Sequence, residues 1–145
     1  MTDPLRPLVV VMSGSRGFRD VSVVQATLLG LRSLHPTVVL RVGDAPSGLD
    51  LLVRTHARRI GLAPTVWEAE WDTFDKAAGM IRNRDMLAGP PKADLLLAFY
   101  AASGASPGTQ GCIKAALRKG VRAWLHREGK GVPVFREVKT AQDYR

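Results

Sequence analysis

Leu8-Val-Val-Val-Met-Ser-Gly-Ser-Arg-Gly-Phe-Arg-Asp20 decides the fold of this 145-residue chain. Its first half is a short, unbroken apolar run rich in β-branched residues. That is the pattern of a strand buried on both faces of a parallel sheet, and it predicts a strand over 8–13. The second half is polar and glycine-containing. It leads into Val24, Leu28 and Leu31, whose helical spacing predicts a helix over 21–34 that Pro36 stops.

The rest of the chain repeats this unit. A strand over 37–43 precedes a helix over 49–60, in which Leu52, Val53, Ala57 and Ile60 share one face before Gly61 ends it. Strands over 64–70, 93–99 and 121–125 then alternate with helices over 77–88 and 108–119. Strands alternating with helices imply right-handed crossovers and a doubly wound sheet. The expectation is a single Rossmann-like α/β domain over 1–145, with three α/β/α layers and a mainly parallel sheet of about five strands. A stretch over 132–138 adds at most an edge strand, because Pro133 cannot donate to a central ladder.

Composition narrows the setting. Apolar residues make up 46% of the chain and charged residues 23%, which suits a packed soluble domain. With Cys112 as the lone cysteine, neither an internal disulfide nor a cysteine-held zinc site can form, so a reducing cytoplasm fits. The segment from Met1 to Met12 does not read as a secretory leader, and no stretch approaches the roughly 20 apolar residues of a membrane span. The net charge is +8, and it gathers late. From Lys114 to Lys139 eight basic residues stand against Glu128 and Glu137. These are spread along elements rather than run together, so they read equally as a solvated basic face or as a nucleic-acid surface.

In doubly wound sheets the ligand lies beyond the carboxyl ends of the strands, which makes the strand-to-helix loops the candidate site. The first loop offers Gly14, Ser15 and Arg16: close backbone approach, a hydroxyl for phosphate oxygens and a guanidinium for a forked contact. It is neither a P-loop nor a Gly-x-Gly-x-x-Gly dinucleotide fingerprint. The second, Gly43-Asp-Ala-Pro-Ser-Gly-Leu-Asp50, offers Gly43, Asp44, Ala45, Ser47, Gly48 and Asp50. Asp44 is placed to meet a ribose hydroxyl, and Asp50 either to cap the next helix or to face the ligand. The third, Ser103-Gly-Ala-Ser-Pro-Gly-Thr109, offers Ser106, Gly108 and Thr109 at a helix start. There a cap and an anion compete for the same N–H groups.

Between these loops lies Ala78-Gly-Met-Ile-Arg-Asn-Arg-Asp-Met86. Residues three or four apart share a helix face, so Gly79, Arg82 or Asn83, and Met86 fall together. Arg82 is then either a counter-charge for phosphate or one half of a structural ion pair.

Together these motifs, with Trp71 and the Gly108-Thr109 pair, resemble the SLOG superfamily, most nearly the small stand-alone YspA-type proteins of bacteria and their phages. The resemblance runs from 8 to about 120, leaving 121–145 as C-terminal strands and a basic tail. It implies a Rossmann-like domain binding nucleotides or nucleotide-derived molecules such as NAD metabolites and ADP-ribose derivatives. The superfamily also includes the LONELY GUY phosphoribohydrolases, which cleave a base from its ribose phosphate, and the single-strand-binding protein DprA. Arg82 looks like the arginine before the methionine of the LONELY GUY motif, and Ser106-Pro-Gly-Thr109 like part of their Pro-Gly-Gly-x-Gly-Thr loop. Where those enzymes carry a glutamate, this chain has Cys112.

Three functional readings follow from the sequence. In the first, the protein senses or sequesters a phosphorylated nucleotide or NAD-derived molecule, with phosphates on the three loops, Arg82 as counter-charge and the base on Trp71. In the second it is a nucleoside-phosphate N-glycosidic hydrolase, for which Arg82 and Asp44 are the catalytic candidates. The third is a DprA-like binder of single strands. None requires a cofactor, metal or membrane, and a dimer or higher homo-oligomer is compatible with each.

Overall fold

In the computed structural model, which describes residues 6–129 and 131–145, the N-terminal apolar run forms the centre of a six-stranded sheet. Met1 to Leu5 and Lys130, both part of the readings above, lie outside the described residues. The elements run β1 (Leu8–Gly14), α1 (Val21–Leu34), β2 (Val38–Gly43), α2 (Gly48–Arg59), β3 (Thr65–Trp67), α3 (Trp71–Phe74), α4 (Ala78–Ala88), β4 (Leu95–Tyr100), α5 (Pro107–Arg118), β5 (Arg122–Arg127) and β6 (Phe135–Val138). One-turn 3₁₀ segments cover Asp75–Ala77 and Ala141–Tyr144. The strand order is β3-β2-β1-β4-β5-β6. All pairings are parallel except that of β6, which lies antiparallel on β5.

Alternation along β1 builds two cores. Val10 and Met12 pack with Val24 and Leu28 of α1 and with Leu49 and Val53 of α2. Val9 and Val11 face the other way, onto Met86 and Leu87 of α4 and Ile113 and Ala116 of α5. With both faces covered by helices the strand needs no polar face, which is why its sequence reads as a continuous apolar run. Among the described residues no helix is long and apolar enough to cross a membrane.

The strand expected over 64–70 is shorter than its sequence pattern. β3 is an edge strand whose ladder with β2 ends at the Gly43–Trp67 pair. Past that point Glu68 to Glu70 have no partner strand, and Glu70 becomes the residue before α3, a helix the sequence reading did not foresee. At the other edge, β6 begins only at Phe135, leaving Pro133 outside the ladder. β5 runs two residues further than expected because Tyr100 of β4 still pairs with Arg127.

The loops after β1 and β2 are locked together by backbone. The Leu49 N–H donates to the Ser15 carbonyl at 3.2 Å. Gly48, at φ +72°, lies so close that a Cβ there would fall 2.3 Å from that carbonyl oxygen. A Cβ on Gly14 would meet the Leu49 side chain at 2.6 Å and the Phe99 carbonyl at 2.9 Å. Both glycines are therefore contact points between loops. We expect Gly48→Ala to cost roughly 2–4 kcal/mol, from left-handed strain and a backbone clash together. Gly30→Ala, within α1 where nothing lies within 4 Å of the new methyl, should instead stabilise by roughly 0.5–1 kcal/mol. Urea denaturation of both variants measures the contrast, and equal effects would refute the lock.

Candidate functional site

Because β1, β2, β3 and β4 are parallel, their following segments all emerge at one edge of the sheet, and the strand order reverses between β1 and β4. A cleft of about 600 Å³ opens there. It is lined by the loops after β1, β2 and β4, by α4 and by Trp71. Of the residues singled out in sequence, Gly14, Ser15 and Arg16 reach it from the first loop, and Gly43, Ala45 and Asp50 from the second. Ser106, Gly108 and Thr109 reach it from the third, with Arg82 and Asn83 from α4. Asp44, Ser47 and Gly48 are not part of its wall.

The three hydroxyls expected to meet phosphate are engaged with one another. Ser15 Oγ accepts from the Ala101 N–H at 3.3 Å and donates to Ser106 Oγ at 3.2 Å, which donates to Thr109 Oγ1 at 2.8 Å. The chain ties the β1 loop to the β4 loop across the point of strand reversal. Thr109 does not cap α5, since it sits in the first turn and is 2% exposed. Ser106 precedes the helix, yet its side chain makes no cap hydrogen bond. The first turn of α5 therefore keeps unsatisfied N–H groups. Gly108 stands over open space, with nothing within 4 Å of a Cβ placed there.

The second loop and α4 carry the charge. Arg82 Nη1 donates to Asp44 Oδ1 at 2.7 Å and to the Trp67 carbonyl, while Nε donates to Asn83 Oδ1. Arg82 is thus half of an ion pair that also lines the cleft, and Nη2 has no internal partner among the described residues. Asp44 pairs with Arg82 through Oδ1 and accepts the Ala69 N–H at 3.3 Å through Oδ2. Asp50 does not cap α2. Its Oδ2 reaches back to the Ala45 N–H at 3.2 Å. Gly43 makes room for the cluster: a Cβ there would collide with Arg82 Nη1 at 2.5 Å and Asp50 Oδ2 at 2.7 Å. Arg54 completes it by donating to the Gly43 carbonyl, a role with no sequence signal.

Trp71 is 47% exposed and lies against Gly79, the closeness of which (3.5 Å to a built Cβ) leaves the ring standing at the cleft rim. Arg16 is exposed and has no hydrogen-bond or ion-pair partner among the described residues. Cys112 is fully buried and outside the cleft wall, and desolvation pushes its thiol up to about 12, which disfavours the reactive thiolate. Asp85 faces a separate hollow with Glu68 and Glu70. Among the described residues no group of three or more His, Cys, Asp or Glu gathers as a metal site. Part of the late basic charge is used within the fold: Arg122 pairs with Glu137 at 2.8 Å, and Arg127 lies 5.1 Å from the Tyr100 ring centroid.

Burial raises the Asp50 carboxyl above its ordinary range. Arg82, the Ala45 N–H and Arg54 oppose the rise, and Asp44 adds to it. A carboxyl raised on folding holds its proton more tightly in the folded state. Its stabilising contribution is present below the ordinary value of 3.8 and is lost as pH rises through the folded value. Asp50→Asn should therefore melt above the parent at pH 7, with the gap closing towards pH 4. Melting curves across that range read the effect, and a gap that widens on acidification would contradict it.

The sequence profile described as the YspA, cpYpsA-related SLOG family matches residues 8–74, which carry the first two loops and Trp71. The Gene 61 protein of Mycobacterium phage D29 is 30% identical over 117 residues, covering 77% of this chain and 90% of that protein. No solved structure matches the chain significantly. The Rossmann-like sheet, the loop motifs within the matched region and the similarity over most of the phage protein agree, and the chain belongs to the YspA, cpYpsA-related SLOG family.

Proposed function

We propose that the cleft binds a phosphorylated nucleotide or nucleotide-derived molecule of the NAD or ADP-ribose type, and that the protein senses or sequesters it. The observation that carries this reading is an uncapped helix N-terminus beside an unpaired cation. Ser106 leaves the first turn of α5 without a side-chain cap, Gly108 keeps the approach open, and Arg16 lines the same cleft. Free N–H groups and the positive end of the helix favour an anion. A guanidinium adds a charge-assisted hydrogen bond. Family membership supports a nucleotide-related role, and exposed Trp71 gives a base a face to stack on.

Binding stands ahead of hydrolysis in this reading. Cleaving an N-glycosidic bond calls for a carboxylate at the anomeric carbon; Cys112 takes the place of the LONELY GUY glutamate and is buried, Asp44 is held by Arg82, and Asp50, the carboxylate on the cleft wall, is suited to hold sugar hydroxyls. Single-strand binding draws on arrays of stacking aromatics, whereas Trp71 is the one aromatic among the residues lining the cleft.

Arg16→Ala should weaken nucleoside 5′-diphosphates by roughly ten- to a hundredfold, leave the parent nucleosides nearly unchanged and preserve the melting temperature. Arg82→Ala should lower affinity and stability together, because it strands Asp44. Calorimetric titration and thermal melts separate the two variants; equal weakening of nucleosides and diphosphates by Arg16→Ala would remove Arg16 from the phosphate site.

Gly108 supplies a second test. Affinity for the diphosphates should fall in the order Gly, Ala, Val as a side chain grows over the helix N-terminus, while folding survives because the position is open. Undiminished affinity in folded Gly108→Val would sink the assignment of this loop.

A further inference from the structure

Two side chains on the cleft wall are more than nine-tenths buried and leave polar atoms unused. Asp50 is 6% exposed and Asn83 8%. Asp50 commits Oδ2 to the Ala45 N–H, and Asn83 commits Oδ1 to Arg82. Asp50 Oδ1 and Asn83 Nδ2 have no partner among the described residues, and neither is sealed from the cleft. Buried polar groups in folded proteins find partners. Here an acceptor and a donor face the space where a ligand would lie.

Their place along the sheet indicates which part of a ligand they meet. Trp71 follows β3, Asp50 follows β2, Arg16 follows β1 and Gly108 follows β4, in a sheet ordered β3-β2-β1-β4. The aromatic face, the carboxyl, the free cation and the open helix N-terminus all line one cleft, each carried by the segment that follows a different strand. A nucleotide carries the matching set of chemistry: a flat base, a neutral sugar bearing hydroxyls, and phosphate. A carboxyl repels an anion and welcomes a hydroxyl, so phosphate is directed to Arg16 and α5 rather than to Asp50.

Resting on the reading of the cleft as a phosphorylated-nucleotide site, we propose that Asp50 and Asn83 read the 2′,3′-diol of a ribose, so that the ligand class is a 5′-phosphorylated riboside. One hydroxyl donates to Asp50 Oδ1 and its neighbour accepts from Asn83 Nδ2. A site built to hydrogen-bond a hydroxyl discriminates strongly against an analogue lacking it, because its buried groups are then left unpaired.

The test is calorimetric titration of the protein with the 5′-diphosphates of adenosine, guanosine, cytidine and uridine, each beside its 2′-deoxy counterpart and beside inorganic phosphate. At least one ribonucleotide should bind, with its 2′-deoxy partner weaker by roughly tenfold or more. Asp50→Asn should bring that ratio close to one, whereas Arg16→Ala should lower both members of the pair alike and keep the ratio. Equal binding of ribo and deoxy forms by the parent protein overturns the diol assignment and leaves the phosphate site standing. Binding of every nucleotide no better than inorganic phosphate overturns both. The comparison within the parent protein decides the matter independently of either variant.

Discussion

The cleft depends on backbone resting against backbone. With no side chain on Gly48, the first turn of α2 settles onto the Ser15 carbonyl. With none on Gly14, the end of β1 admits both Leu49 and the Phe99 carbonyl. Side chains at these points would force the loops apart by more than a core of fixed packing density tolerates. The loops after β1 and β2 consequently behave as one wall, and the hydroxyl chain through Ser15, Ser106 and Thr109 joins the opposing loop to it.

Within this frame the charges are separated by function. Arg82 and Asp44 neutralise each other, with side chains only 12% and 29% exposed. A pair of this kind contributes little net stability compared with an apolar substitute, but it is costly to break from one side only. Its value here is placement: it ties the second loop to α4, and the same arginine orients the Asn83 amide. Arg16, a cleft cation with no partner among the described residues, stands on the other side of the Gly48 contact, and the carboxyl of Asp50 lies on the same cleft wall. An unpaired positive charge thus stands where the strand order reverses, the crevice that open α/β sheets use for ligands.

Much of the fold was legible because burial and periodicity are local properties. The continuous apolar run of β1 and the Val24, Leu28 and Leu31 spacing of α1 fixed strand, helix and even helix ends. β3 was misjudged because its length is set by its neighbour: residues 68–70 continue a polar–apolar alternation but have no β2 partner beyond Gly43. The same limit applied at the site. Twelve of the fifteen residues singled out in sequence do line the cleft, since loops after parallel strands must gather at one edge. Which of them remain free was not legible. Asp44 meets Arg82 across 38 positions and Ser15 meets Ser106 across 91, and a single sequence carries no trace of such pairings. Arg41 shows the reverse case: a charged residue inside an apolar strand reads as exposed, yet it is 3% exposed and donates to the Met86 carbonyl.

The interlock at Gly48 and Gly14 also restricts how the protein can diversify. Lengthening or shortening the loop after β1 or β2 by a residue would move a side chain into a space that only a glycine fits, so insertions there carry a folding penalty. The turn at Ser103 and Gly104 is different: a Cβ on Gly104 meets nothing within 4 Å, and Ser103 and Ala105 are exposed. It is where the architecture absorbs extra residues at least cost. Relatives that came to hold larger or differently shaped ligands are thus expected to vary in length after β4, while keeping the first two loops close to their present form.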